Sequence, residues 1–131
     1  MHEKEKPIIY IVDGDSSVRM AMKRFVLASQ LNARTFASSH EFLGSRFQDH
    51  NSCLIVDVNG KGDSGLELQE ALVALGSRLP VIFMTTFEVS EARDRLKDKG
   101  AVGYFRKPVD GQALMDTILW ALSAPRVLPP Q

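Results

Sequence analysis

Short apolar runs alternate along the chain with longer segments whose apolar residues return every three or four positions. The runs 8–12, 33–36, 54–56, 81–84 and 103–106 have the length of buried strands. Between the first two, Val18, Met22, Phe25, Val26 and Ser29 share a helical face, behind an N-cap at Asp15 or Ser16. Ser38-Ser39-His40-Glu41 offers a capping box for a short helix carrying Phe42, Leu43 and Phe47. Leu68, Ala71, Leu72 and Leu75 are the stripe of a helix over 66–75, with Gly76 where a C-cap glycine belongs. Residues 89–99 bury only Val89, Ala92 and Leu96, so this helix is weakly anchored, its charges forming a solvated face. Asp110 caps a last helix that runs to about Leu122.

Five strands alternating with five helices predict an α/β domain: a doubly wound, mostly parallel sheet with helices on both faces and right-handed crossovers. Every strand then ends on one edge, the edge where open α/β sheets bind ligands. That edge collects Asp13, Asp57, Thr85 and Lys107. The segment 53–65 is its centre: a strand buried on both faces ends in Asp57, before a glycine-rich loop. A carboxylate there is costly unless its charge is used, the plain alternative being a turn or cap aspartate.

Composition narrows the functions. With 131 residues the chain is one domain, taken as 1–123 followed by a Pro-rich tail or truncated linker over 124–131. Sixteen basic and sixteen acidic residues cancel, so charge asks for neither nucleic acid nor an acidic membrane. The single cysteine, Cys53, excludes an internal disulfide and multi-thiolate zinc, and reads as a small buried hydrophobe. His2, His40 and His50 make no metal spacing. No apolar run approaches the ~20 residues of a membrane span, and the charged N-terminus is not a signal peptide. The expected compartment is the cytoplasm.

Two carboxylates, a hydroxyl and an ammonium on one rim suit phosphoryl transfer with Mg2+, which takes oxygen ligands and keeps several waters. Asp57 would be the nucleophile. The motifs Tyr10-Ile-Val-Asp13 with Asp15-Ser-Ser-Val-Arg19, Leu54-Ile-Val-Asp57-Val58, Ser64-Gly-Leu, Pro80-Val-Ile-Phe-Met-Thr85 and Gly100-Ala-Val-Gly-Tyr104-Phe-Arg-Lys107-Pro108 occur in this order. Over residues 7–122 the chain resembles the response-regulator receiver domain of two-component signalling. The resemblance implies a flavodoxin-like (βα)5 fold with strand order 2-1-3-4-5. It implies Asp57 as phosphoacceptor, with Thr85 and Lys107 contacting the phosphate. Mg2+ would be held by Asp13, Asp57 and the Asn59 backbone carbonyl, with Thr85 and Tyr104 as switch residues and a cis Lys107-Pro108 bond. A half-buried strand aromatic is the plain reading of Tyr104.

Two positions depart from the family pattern. Gly14 stands where a second acid next to Asp13 is usual, and Gly60-Lys61 where Met-Pro is usual. A unit charge about 5 Å from a divalent ion is worth roughly 6 kcal/mol at an effective dielectric near 20, before desolvation is subtracted. At least a tenfold loss of Mg2+ affinity is therefore expected. Asp15 either replaces the missing acid or serves as the helix cap, and Lys61 adds a cation that would partly neutralise Asp57.

The leading expectation is a domain that takes a phosphoryl group from a histidine kinase or phosphotransfer protein and switches a partner surface, without being an enzyme in its own right. The alternatives are a pseudo-receiver binding module with an impaired metal site and, more distantly, a haloacid-dehalogenase-like phosphatase, resembled by Asp13-Gly-Asp15 but lacking a further acidic pair. The last helix is apolar over more than half its circumference, and the excess at Leu119 and Trp120 suggests a partner surface, such as a homodimer through the fourth and fifth helices, or a seat for the tail. No DNA-reading element lies in these residues.

Overall fold

Parallel pairing of the apolar runs organises the chain. The computed structural model describes residues 5–58, 64–85, 102–107 and 109–123, and contains β1 (Ile8–Val12), β2 (Asn32–Phe36), β3 (Ser52–Val58), β4 (Val81–Thr85) and β5 (Gly103–Arg106). They form one sheet in the order β2-β1-β3-β4-β5, all pairs parallel. This is the doubly wound order expected from the resemblance. The helices are α1 (Ser16–Ala28), α2 (Ser39–Leu43), α3 (Ser64–Ala74) and α4 (Gly111–Ser123). Residues 89–99 and 124–131, read as a helix and a tail, lie outside the described residues.

Side-chain alternation along the strands separates two cores. Tyr10, Val12, Leu54, Val56 and Phe83 pack with Phe42 of α2 and Leu68 and Leu72 of α3. Ile9, Ile11, Cys53, Ile55, Ile82 and Met84 face Val26 of α1 and Leu114 and Ile118 of α4. Cys53, Leu54, Ile55 and Val56 are wholly buried, so the central strand is covered on both sides. Cys53 is the buried hydrophobe that its position suggested.

Local signals set the ends of the elements. Asp15 is the N-cap of α1, its carboxylate accepting from the amides of Ser17 and Val18. Ser38 Oγ accepts from the Glu41 amide at the start of α2, and Asp110 Oδ1 from the Gln112 amide at the start of α4. Gly76 adopts φ 72° after α3, and the Ser77 amide closes back on Leu72 O at 3.0 Å.

Two expectations are corrected. β3 does not end at Asp57. It continues to Val58 because Asp57 and Val58 still pair with Met84 and Thr85 of β4. Leu75 is no part of the buried stripe: α3 stops at Ala74, and the left-handed turn at Gly76 leaves Leu75 68% exposed.

Replacing Gly76 with alanine forces a Cβ into the left-handed region and is expected to lower stability by about 1 kcal/mol. Gly14 has no such need. A Cβ built there meets nothing nearer than Ala37 O at 4.0 Å, and its φ is not left-handed. Thermal unfolding should therefore show a Tm several degrees lower for Gly76→Ala and almost unchanged for Gly14→Ala.

Candidate functional site

Strand register brings the candidate residues to one edge. The Asp13 amide extends the β1–β2 ladder by donating to Phe36 O at 3.1 Å. The Lys107 amide extends β5 by donating to Thr85 O at 2.7 Å. Asp57 occupies the last turn of the pleat between them, on the central strand. Residues 44, 28 and 22 positions apart in sequence thus meet at the carboxyl end of the sheet.

Lys107 is the hub. Its Nζ lies 2.9 Å from Asp13 Oδ2, as a hydrogen-bonded ion pair, and 3.0 Å from Asp57 Oδ1. The second contact is an ion pair without hydrogen-bond alignment, so Asp57 Oδ1 is buried and incompletely satisfied. Asp13 is only 1% exposed, whereas the Asp57 and Lys107 side chains keep 12% and 18% of their surface. The carboxylate that would react is thus the one nearer solvent.

The loop after β1 is held by its own groups. Asp13 Oδ1 accepts from the Asp15 amide at 2.9 Å, and Asp13 O accepts from Arg19 Nη1 at 2.7 Å. Asp15 is exposed, and its carboxylate serves as the helix cap, one of the two roles open to it. Among the described residues no group of three or more His, Cys, Asp or Glu side chains could hold a metal ion. Asn59, Gly60, Lys61 and Pro108 lie outside the described residues, and with them the backbone ligand and the cis bond.

Burial is the largest influence on Asp57 and pushes its pKa up; the close contact and charge of Lys107 oppose it, and the charges of Asp13 and Asp15 add to it, leaving the pKa raised. For Lys107 burial is likewise the largest single influence and acts downward. The two carboxylates together outweigh it, so its pKa is also raised.

Tyr104, on the edge strand β5, turns inward. Its ring stacks on Phe83 with centroids 6.3 Å apart, and its hydroxyl is buried. Thr85, half-buried, ends β4 beside Lys107. Leu119 and Trp120 lie far along α4, 49% and 57% exposed. Arg19 joins the site with no signal in the apolar pattern of α1. In the sequence it stands at the end of the motif Asp15-Ser-Ser-Val-Arg19, without a role assigned to it.

The shifts fix the sign of two pH effects. A carboxylate with a raised folded-state pKa costs nothing below its unfolded value, near pH 4, and its full penalty above the folded value. Asp57→Asn is therefore expected to raise Tm at pH 7 by a few degrees, on the order of 1 kcal/mol, with the gain vanishing below about pH 4. Lys107 works the other way: its contribution is complete below about pH 10 and is lost as pH rises through its folded value. Asp13→Asn should instead cost about 2 kcal/mol at pH 7, short of the ~3–5 kcal/mol of a fully buried pair because Lys107 keeps Asp57. Thermal unfolding of the three proteins between pH 3 and 11 checks these signs.

The family profile of the response regulator receiver domain matches residues 9–119. The chain is 32% identical over 118 residues to the transcriptional regulatory protein TdiR of Thauera aromatica, covering 90% of this chain and 52% of that protein. It is 33% identical over 121 residues to nodulation protein W of Bradyrhizobium diazoefficiens, covering 92% of this chain and 53% of that protein. A response regulator receiver protein from Pseudoalteromonas atlantica superposes with a TM-score of 0.81 at 28% identity, over 88% of this chain and 97% of that one. The chain thus spans about half the length of the curated relatives it matches. A five-stranded sheet in the order 2-1-3-4-5, an acid–lysine–acid rim at its carboxyl edge and a profile match over nearly the whole chain agree: this chain belongs to the response regulator receiver domain family.

Proposed function

We propose that this domain accepts a phosphoryl group on Asp57 from a histidine kinase or phosphotransfer protein and passes the change to a partner surface. The observation that carries this reading is Lys107, bridging Asp13 and Asp57 at 2.9 and 3.0 Å. A fixed cation within contact distance of the nucleophile serves equally for an incoming phosphoryl oxygen. In the transfer, an Asp57 carboxylate oxygen bonds to phosphorus and the phosphohistidine P–N bond breaks. Its electron pair stays on the imidazole nitrogen, leaving an acyl phosphate. Lys107 holds the phosphoryl oxygens, Thr85 donates its hydroxyl to one of them, and Tyr104 repacks against Phe83 as Thr85 moves.

Receiver domains generally bind Mg2+, and the rim fits a hard cation: two carboxylates already converge on one positive charge. Asp13, Asp57 and the Asn59 carbonyl would hold it. When bound, the ion offsets negative charge on the moving group. With Gly14 in the second acid position, the affinity is weakened. Space at the Cβ does not explain this glycine, since a Cβ there would meet nothing nearer than Ala37 O at 4.0 Å. That observation favours one second reading, a binding module whose metal site has decayed. The family match lends no support to a phosphatase.

Receiver domains work with histidine kinases, and the relatives include a transcriptional regulatory protein of which this chain covers about half. The domain would serve either as the regulatory part of such a protein or as a stand-alone regulator, with Leu119 and Trp120 in a partner face suited to a homodimer through α4 and the segment 89–99. Among the described residues no helix is long and apolar enough to cross a membrane.

Intact mass after incubation with acetyl phosphate tests the reading. One phosphoryl group should add to the wild type with Mg2+, and none to Asp57→Asn. Gly14→Asp should reach half-maximal labelling at a Mg2+ concentration at least tenfold lower. If wild type stays unlabelled at high Mg2+ while Gly14→Asp is labelled, the domain is the binding module instead.

A further inference from the structure

Arg19 has no part in the transfer just described, yet it makes one of the shortest contacts at the rim. Its guanidinium donates to the backbone carbonyl of Asp13 at 2.7 Å in a half-buried setting. Its place in α1 is unfavourable for a cation. The positive end of a helix dipole lies at the N-terminus, and Arg19 stands one turn from it with no acid in that turn. The Asp13 carbonyl, the N-cap carboxylate of Asp15 and the acidic rim compensate.

Charge at the rim makes this matter. Asp13 and Asp57 supply two negative charges and Lys107 one positive. Arg19, tied to Asp13 through its own peptide, adds a second positive charge, and with the Asp15 carboxylate included the five groups sum to −1. Asp15, exposed and engaged on the first amides of α1, exerts the smallest of the influences acting on Asp57. An acid at position 14 would take the rim to −2. Gly14 leaves it one charge less negative before any metal arrives.

We propose that Arg19 is a built-in counter-charge to Asp13 that, together with Gly14, sets the Mg2+ concentration at which the rim loads. This inference rests on the metal-site reading above and deepens it. Removing the positive charge and adding a negative one are then two independent routes to the same gain in affinity. A purely structural Arg19 predicts the opposite sign, because loosening the Asp13 peptide would weaken metal binding.

The test is a Mg2+ titration of the full chain, followed by amide chemical shifts, with thermal unfolding run in parallel. Arg19→Gln is expected to bind Mg2+ about three- to tenfold more tightly than wild type while its Tm falls. Arg19→Lys, which keeps the charge, should bind as wild type does. Gly14→Asp should gain at least tenfold, and the double variant should show the product of the two gains. Unchanged or weaker binding in Arg19→Gln, with Gly14→Asp still improved, overturns the role of Arg19 alone. Shifts that persist in Asp57→Asn, or no gain in either variant, would overturn the metal-site reading itself. Should Arg19→Gln fail to fold, Arg19→Met and the Arg19→Lys comparison carry the same decision.

Discussion

The edge of this sheet depends on one ammonium group. Lys107 brings two carboxylates from neighbouring strands within 3.0 Å of a common point. Without it, two negative charges would sit at the end of the buried central strands, where desolvation and mutual repulsion both oppose them. The triangle is also unequal. Asp13 is sealed and hydrogen-bonded on both oxygens, while Asp57 keeps an incompletely satisfied oxygen and a path to solvent. The same burial that secures the scaffold therefore leaves Asp57 incompletely satisfied, a pattern seen where charge is held ready for chemistry.

That scaffold is stiff because strand and helix share the load. Asp13 is placed by the ladder bond its amide donates to Phe36 O and by Arg19 from α1; Lys107 is placed by the ladder bond its amide donates to Thr85 O. Each side chain at the rim is thus tied to a packed element on at least one side. Rigid elements hold a charged constellation more closely than loops do. Gly14 is the exception: nothing in the backbone or its surroundings demands a glycine. It leaves one charge fewer beside Asp13 than an acid at that position would.

Away from the rim, Tyr104 packs inward on Phe83, which links the edge strand to the α2–α3 core. On the opposite face of the sheet, α4 buries Leu114 and Ile118 while leaving Leu119 and Trp120 in water. Two exposed large apolar side chains on consecutive positions extend the apolar arc beyond what the core uses. The two features lie at different heights on the fold, one against the rim and one along the last helix.

The sequence by itself determined the element types, the strand order through its family motifs, and the residues of the rim, because apolar period, caps and motif spacing are local signals. Asp15, Ser38, Gly76 and Asp110 work as the caps their residue types announce. Tertiary structure decided what depends on a neighbour. β3 runs past Asp57 because β4 offers partners, and Leu75 faces water because the turn at Gly76 directs it there. Asp15 was open between cap and ligand in sequence, and the geometry commits its carboxylate to the amides of α1. Arg19 closed a family motif but carried no role, since a hydrogen bond to a backbone carbonyl leaves no pattern in side-chain types. The pairing of Lys107 with Asp13 across 94 positions likewise exists only once the strands are side by side. Local propensities write the elements; charge contacts at their ends are written by the packing that brings those ends together.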